Sequence, residues 1–404
     1  MADVTSQPQD GFRLSQLIYD SRYRSLTIQA VAMILLLSAI YWLVSNTVEN
    51  LRVLGKDFNF GFLWTTAGYD INQQLIPYDS TRTHGRAALV GILNTLLVAF
   101  LGCITATVVG VLAGVLRLSK NWIVARLMGV YVEGFRNVPL LLWILLIFAV
   151  MTEGTPQPRD FREGGSASMI LWDSVAISNR GVFIPKPLWG EGSGILVAVF
   201  LASLAAIWAF RRYARKRQEA TGQQLPVGWV TLGLLVLPTF LFFFLLGRPV
   251  SLEYPELGGF NFVGGTQVRN SLIALWLALS LYTGAFIAEI VRGGILAISK
   301  GQTEAAYALG LRPGRTMKLV ILPQALRVII PPLISQYLNL TKNSSLAIAV
   351  GYMDVRSTLG GITINQTGRE LEGMLLLGLF YLIVSLLISG AMNIYNSRVK
   401  LKER

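Results

Sequence analysis

Four charged side chains sit inside or at the edge of long apolar stretches of this 404-residue sequence: Glu133, Arg136, Glu289 and Lys342. If those stretches lie in lipid, each charge costs about 2.5–3.5 kcal/mol at the centre of a bilayer and needs a partner or a wet cavity. Glu133 and Arg136 are three residues apart and share one face of a helix, as do Glu289 and Arg292. Pairing within the helices is one reading of these residues. The other is that some line a passage, where a zwitterion needs both an acceptor and donors. Asn137 and Val138 precede Pro139, which can break the helix and free backbone groups to face such a cavity. Lys342 with Ser344 and Ser345 makes a second polar cluster. This is a chemistry of binding, not of bond-making. The chain has one cysteine, Cys103, and one histidine, His84, so it makes no internal disulfide and no zinc site, and the usual hydrolytic constellations are largely out of reach. His84 begins a segment beside Gly85 and Arg86 and reads as a solvated loop residue. No G-x-x-x-x-G-K-[ST], H-E-x-x-H or G-x-S-x-G occurs. The expectation is no catalytic residue, no metal site and no cofactor bound by this chain.

The elements that carry these residues are set by composition. The sequence is 53% hydrophobic and 14% charged, where a soluble domain carries about 25% charged residues. Eight stretches are long and apolar enough to cross a bilayer, which takes about 20 residues. They run over 25–45, 87–116, 127–151, 193–210, 229–247, 270–291, 325–350 and 373–395. Polar residues and prolines interrupt the third and seventh, which are candidates for broken helices. The first follows a polar head and lacks a small-x-small cleavage site, so it reads as a retained span. Lys and Arg are enriched in cytoplasmic segments of membrane proteins. With both termini inside, 21 of the 35 fall on the cytoplasmic side and 12 on the other. That bias accounts for the net charge of +13 without nucleic acid, for which no aromatic-basic patch is present. Gly102, Ala106, Gly110 and Gly114 form a small-residue stripe suited to close helix packing. Segment 152–192, long, outward-facing and mixed in charge, reads either as a docking loop for a soluble partner or as a plain connector.

Segment 300–324, on the cytoplasmic side by the charge count, contains Glu304-Ala305-Ala306, then three residues, Gly310, nine residues, and Val320-Ile321-Leu322-Pro323. Thr303 and Glu304 suit a helix N-terminus, and Gly310 suits the left-handed residue that stops a helix. Residues 304–309 then form a short helix. Ala305 and Ala306 leave room for another surface, and Tyr307 and Leu309 offer apolar anchors.

This spacing resembles the EAA signature of ATP-binding-cassette (ABC) importer permeases, with Val320 where isoleucine is usual. The flanks Glu133-Gly134-Phe135-Arg136-Asn137-Val138-Pro139, Ala285–Ile295 and Lys342–Ala347 resemble permeases of the polar amino-acid type. The long form resembles the Q-type subunit of general L-amino acid (glutamate/glutamine/aspartate/asparagine) importers. The resemblance implies an all-α type I ABC importer permease fold of about eight transmembrane helices in a bacterial inner membrane. Residues 1–86 would hold a cytoplasmic head, the first helix and a periplasmic loop. Residues 87–395 would be the permease domain, interrupted by insertion 152–262, a periplasmic loop with two extra helices. Residues 396–404 would be a basic tail. It further implies ATPase subunits holding ATP and Mg, a second homologous permease chain, a periplasmic binding protein, an L-amino acid substrate and surrounding lipid. Glu304, Ala305, Ala306, Tyr307, Gly310, Leu322 and Pro323 would couple to the ATPase. The rival reading, an ion-coupled secondary amino-acid transporter, calls for inverted repeats; none is visible, and it leaves 304–323 without a role.

Overall fold

The computed structural model describes residues 21–399 apart from 54, 56 and 57. The head before residue 21 and the basic end 400–404 lie outside the described residues. The chain is a multi-spanning helical membrane protein. Its principal helices are α1 (Ser21–Val53), α2 (His84–Leu116), α3 (Trp122–Asn137), α4 (Leu140–Glu153), α5 (Ser193–Thr221), α6 (Val227–Leu245), α7 (Asn270–Leu296), α8 (Lys300–Ala308), α9 (Leu322–Asn343) and α10 (Glu370–Val399). Among the described residues seven helices are long and apolar enough to cross a bilayer, or eight if the bent pair α3–α4 is one span.

That pair shows local sequence setting tertiary geometry. Proline disfavours helix at the residue before it, and Val138 is extended at φ −111° and ψ 134°. The two halves meet at 109°, and Phe135 stacks on Trp143 across the corner at 4.2 Å.

The core is built on α2 and α7. A Cβ added to Gly110 would lie 2.6 Å from Ile287, and one added to Gly114 would lie 2.6 Å from the Ala288 carbonyl. The small residues therefore bring the two backbones together. Gly102, on the same stripe, faces Leu340 of α9 instead. Val98, Ile144, Leu275, Leu279, Ile287 and Leu340 are fully enclosed where α2, α4, α7 and α9 meet.

The two ends of this bundle differ. At one end α8 links α7 to α9. At the opposite end, among the described residues, lie seven short strands that the sequence did not announce. They are β1 (Ala176–Ser178), β2 (Gly181–Ile184), β3 (Lys186–Trp189), β4 (Val250–Glu253), β5 (Glu256–Gly258), β6 (Asn261–Val263) and β7 (Thr266–Val268). The sheets are β1-β2-β7, β3-β4 and β5-β6. Because β2 pairs with β7, segment 176–268 closes on itself, and the antiparallel ribbon β3–β4 is the stalk from which hairpin α5–α6 leaves and returns. Those two helices pack on one another.

The return from α9 to α10 also lies at this end and folds against α2. Asn94 donates to the carbonyls of Gln73 and Met353 at 2.8 and 2.9 Å, the Tyr352 hydroxyl donates to the Asn94 carbonyl, and the Val355 amide donates to Thr95. His84 is 3% exposed, with Nδ1 3.0 Å from Thr363 Oγ1. The expectation of a solvated histidine is thus corrected: turn 358–363 packs over the start of α2.

Candidate functional site

Helix α8 is largely exposed. It begins after Ser299, one turn earlier than Thr303 and Glu304 suggested, so Thr303 lies inside it and does not cap it. The far end follows the sequence more closely. Gly310 has φ +77°, its amide bonds the Tyr307 carbonyl, and the Leu311 amide bonds the Ala306 carbonyl. These two bonds are the Schellman closure, which a glycine accommodates without strain. Ala306 is 4% exposed and faces inward, whereas the sequence reading put it on the contact face. Glu304, Ala305, Tyr307 and Leu309 are among its exposed residues, with Leu309 82% exposed. Leu322 and Pro323 are exposed where α9 begins. Gln324 donates to Gln302 at 3.3 Å and to the Val320 carbonyl at 3.0 Å. This tie between α8 and α9 was not singled out in the sequence, because a lone glutamine pair has no spacing signature.

The charged residues expected near a passage do not gather at one place. Glu289 receives both Nε and Nη2 of Arg292, at 3.1 and 2.5 Å, and Arg117 Nη1 at 2.6 Å. Arg117 also reaches Glu133 at 3.6 Å. Glu133 therefore pairs across helices with Arg117, not along its own helix with Arg136. Arg136 instead lies over the Phe286 ring at 5.4 Å, a cation–π arrangement. Asn137 donates to the Glu133 carbonyl at 2.8 Å. Arg117, Arg126, Glu133 and Arg292 line a cavity of roughly 440 Å³ toward the α8 end. Arg117 was missed because it follows an apolar run and reads as an ordinary cytoplasmic charge. Lys342, Ser344 and Ser345 sit at the opposite end of α9, where the Ser344 hydroxyl donates to the Thr341 carbonyl at 2.7 Å and Lys342 is exposed. Between the two groups, Thr107 and Tyr337 meet at 2.7 Å, and Trp276 donates to Thr105 at 3.1 Å. Neither link was visible in sequence, since each joins residues far apart in the chain.

At the strand-bearing end, Asp354 is enclosed. Its Oδ1 accepts the Ser357 amide at 2.8 Å, and among the described residues its Oδ2 accepts no hydrogen bond. Burial pushes this carboxyl up to about 6, against the Ser357 hydrogen bonds and the nearby Arg356 charge, which lower it. Among the described residues no group of three His, Cys, Asp or Glu side chains is arranged to hold a metal ion.

Comparison with known proteins agrees with this architecture. The family described as binding-protein-dependent transport system inner membrane component matches residues 225–401. The glutamate/glutamine/aspartate/asparagine transport system permease protein BztB of Rhodobacter capsulatus is 56% identical over the whole of both chains. The general L-amino acid transport system permease protein AapQ of Rhizobium johnstonii is 45% identical over all of this chain and 98% of its own length. A putative amino-acid ABC transporter permease protein of Escherichia coli, YhdX, is 44% identical over 94% of this chain and 95% of its own.

Proposed function

This chain belongs to the amino-acid ABC transporter permeases, and from that premise we propose that it forms part of the passage for L-amino acids and is driven through α8. The family is one of multi-pass inner-membrane transport subunits, not enzymes, that work with a separate ATPase and a substrate-binding protein. In the proposed assembly α8 is cytoplasmic, both termini are cytoplasmic, and the strand-bearing end faces the periplasm. The Lys and Arg bias supports that orientation. A second, similar permease chain completes the passage. ATP and Mg reside on the ATPase. Residues 87–395 form the permease domain around insertion 152–262.

The observation that carries the reading is α8 itself. It is a short helix closed by a left-handed glycine, and it presents Glu304, Ala305, Tyr307 and Leu309 to solvent. A push on such an element reaches α7 and α9 directly, since it joins them. A driven permease needs that linkage, because its states differ only by the binding energy each receives. Arg117, Glu133, Glu289 and Arg292 knit α2, α3 and α7 together toward the same end.

The test is co-purification of the ATPase with Gly310→Val and Glu304→Ala. Valine at a positive φ is a steric outlier. Losing one partner of a desolvated charge pair costs about 2–5 kcal/mol. Both residues lie outside the spans, so the permease should reach the membrane in normal amount. Less ATPase should accompany it, and uptake should fall by tenfold or more, on the order that such a loss implies. A variant that retains its ATPase and parental uptake ends the coupling role for that residue. Uptake driven by an ion gradient with no ATPase present would return the reading to a secondary transporter.

A further inference from the structure

A second polar site lies at the strand-bearing end, well away from α8. Asn179 and Arg180 form the two-residue tip between β1 and β2, since Ser178 pairs with Gly181 across it. The tip is clamped to the start of α7. Asn270 donates Nδ2 to the Asn179 carbonyl at 2.8 Å and to the Met151 carbonyl at 3.3 Å, and Gln267 donates to the Arg180 carbonyl at 2.8 Å. Arg269 donates Nε to the Asn72 carbonyl at 3.1 Å, and Arg180 donates Nη1 to the Phe260 carbonyl at 3.1 Å. Asn179, Arg180, Arg269 and Asn270 line a cavity of roughly 210 Å³ that Phe148 and Thr152 of α4 also line.

Three features of this cavity suit a small zwitterion. Neither Arg180 nor Arg269 forms an ion pair among the described residues, so two guanidinium groups at one cavity lack a carboxylate. Asn270 is 4% exposed, and its Nδ2 bonds to the carbonyls of Met151, Ser178 and Asn179 fix which atom of its amide is oxygen. Among the described residues that oxygen, like Oδ1 of Asn179, accepts no hydrogen bond, and an orphaned buried acceptor calls for a partner. We propose that this cavity is the first station for the transported L-amino acid, its α-carboxylate held by Arg180 and Arg269 and its ammonium directed to the amide oxygens of Asn179 and Asn270. Guanidinium suits a carboxylate because its fork donates in parallel to both oxygens. The site is built from the inserted loop and the head of α7 together, and α4 and α7 lead from it into the core. This assignment rests on the proposed transport of L-amino acids.

The test is equilibrium binding of radiolabelled L-glutamine to the full permease–ATPase complex in nanodiscs, without binding protein. Arg180→Gln and Arg269→Gln should each weaken binding by about tenfold or more, as loss of a charged hydrogen bond does. Arg180→Lys should restore part of it. Arg162→Gln, in the same insertion with its guanidinium on the Gly259 carbonyl, should leave it unchanged. 4-Aminobutanamide, which lacks the carboxylate, should not compete. Arg269 also braces the 72–73 loop, so if its variant is not recovered from the membrane, Arg180→Gln decides alone. Parental binding by the arginine variants, or no binding by the parental complex, overturns the site. Parental L-glutamine binding with lost attachment of the binding protein also overturns it and assigns the arginines to an acidic side chain of that protein. If the parental complex with its binding protein takes up no L-amino acid in proteoliposomes, the transport reading itself fails instead.

Discussion

Helices α2 and α7 and helices α5 and α6 are comparably apolar in sequence, yet they do different work. In the most apolar window of α7, 61% of residues are buried within the chain, against none in that of α6. The pair α2–α7 meets through Gly110 and Gly114 with backbone against side chain, and it carries Glu289, Thr105 and Trp276 in cross-helix bonds. The pair α5–α6 offers Phe240, Leu241, Phe244 and Leu245 outward, and a Cβ at Gly233 would meet only the tip of Leu237 at 3.8 Å. Hydropathy reports that a segment can sit in lipid. It does not report whether its neighbour is lipid or protein, because lipid tails are as apolar as leucine. Small and polar residues at helical spacing carry that second piece of information.

The sharpest break in the comparison is a matched pair of substitutions. Gly110→Val forces a branched side chain into Ile287 and the Gly284 carbonyl 2.8 Å away. Overpacking of this kind costs about 1–3 kcal/mol, and occasionally more where backbone blocks relief. Folded protein recovered from membranes should drop steeply, while Gly233→Val should be recovered at parental level. Equal recovery of the two would show that α2 and α7 are not in close contact.

A smaller effect is expected from Glu289→Gln, which leaves Arg117 and Arg292 without their shared carboxylate. The groups are partly exposed, so solvent recovers much of the loss, and destabilisation on the order of 1 kcal/mol is expected. Thermal unfolding in detergent measures it. No buried ion pair holds α5 to α6 among the described residues; the Arg215–Glu219 pair is exposed and intrahelical, so Glu219→Gln should shift unfolding by far less.

A pH dependence should come from Asp354. Its folded pKa is raised to about 6, so between about 4 and 6 the unfolded chain binds fewer protons than the native one, and stability falls as pH rises through that window. The difference from an ordinary aspartate is worth about 3 kcal/mol at most. Asp354→Asn removes the buried charge, so its unfolding temperature should be flatter from about pH 4 to 7 and higher than the parent at the upper end of that range. A parallel profile would mean the carboxylate is solvated.

The least effect is expected where the structure offers a clean exit. Gly190 donates to the Pro249 carbonyl at 2.8 Å at the base of the β3–β4 stalk. Replacing 191–248 by a two-residue turn should leave the remaining bundle folded and its ATPase attached. Loss of the whole protein would mean that α5–α6 packs on the core more tightly than its exposure indicates.

Much of the architecture was legible. The apolar stretches, the break at Pro139 and the left-handed stop at Gly310 are each set by residues next to one another, and local sterics act over that range. The short helix that carries Glu304-Ala305-Ala306 and stops at Gly310 was legible for the same reason. The site residues were less legible. Glu133 was placed with Arg136 by helical periodicity, but its carboxylate turned to Arg117 on another helix. His84 looked solvated because nothing in its neighbourhood foretold turn 358–363. The short strands were hidden in segments of mixed character, too brief to show alternation.

By itself the sequence determined that the chain enters a membrane many times, which of its loops bears a short helix between two spans, and where two helices must stop. These follow from transfer free energy and from the φ limits of proline and glycine, which need no partner. Only the tertiary structure decided which apolar helices form the core, which carboxylate each arginine meets, and that Arg180 and Arg269 stand at one cavity without one. Those outcomes depend on contacts between residues up to hundreds of positions apart, and no local rule records them.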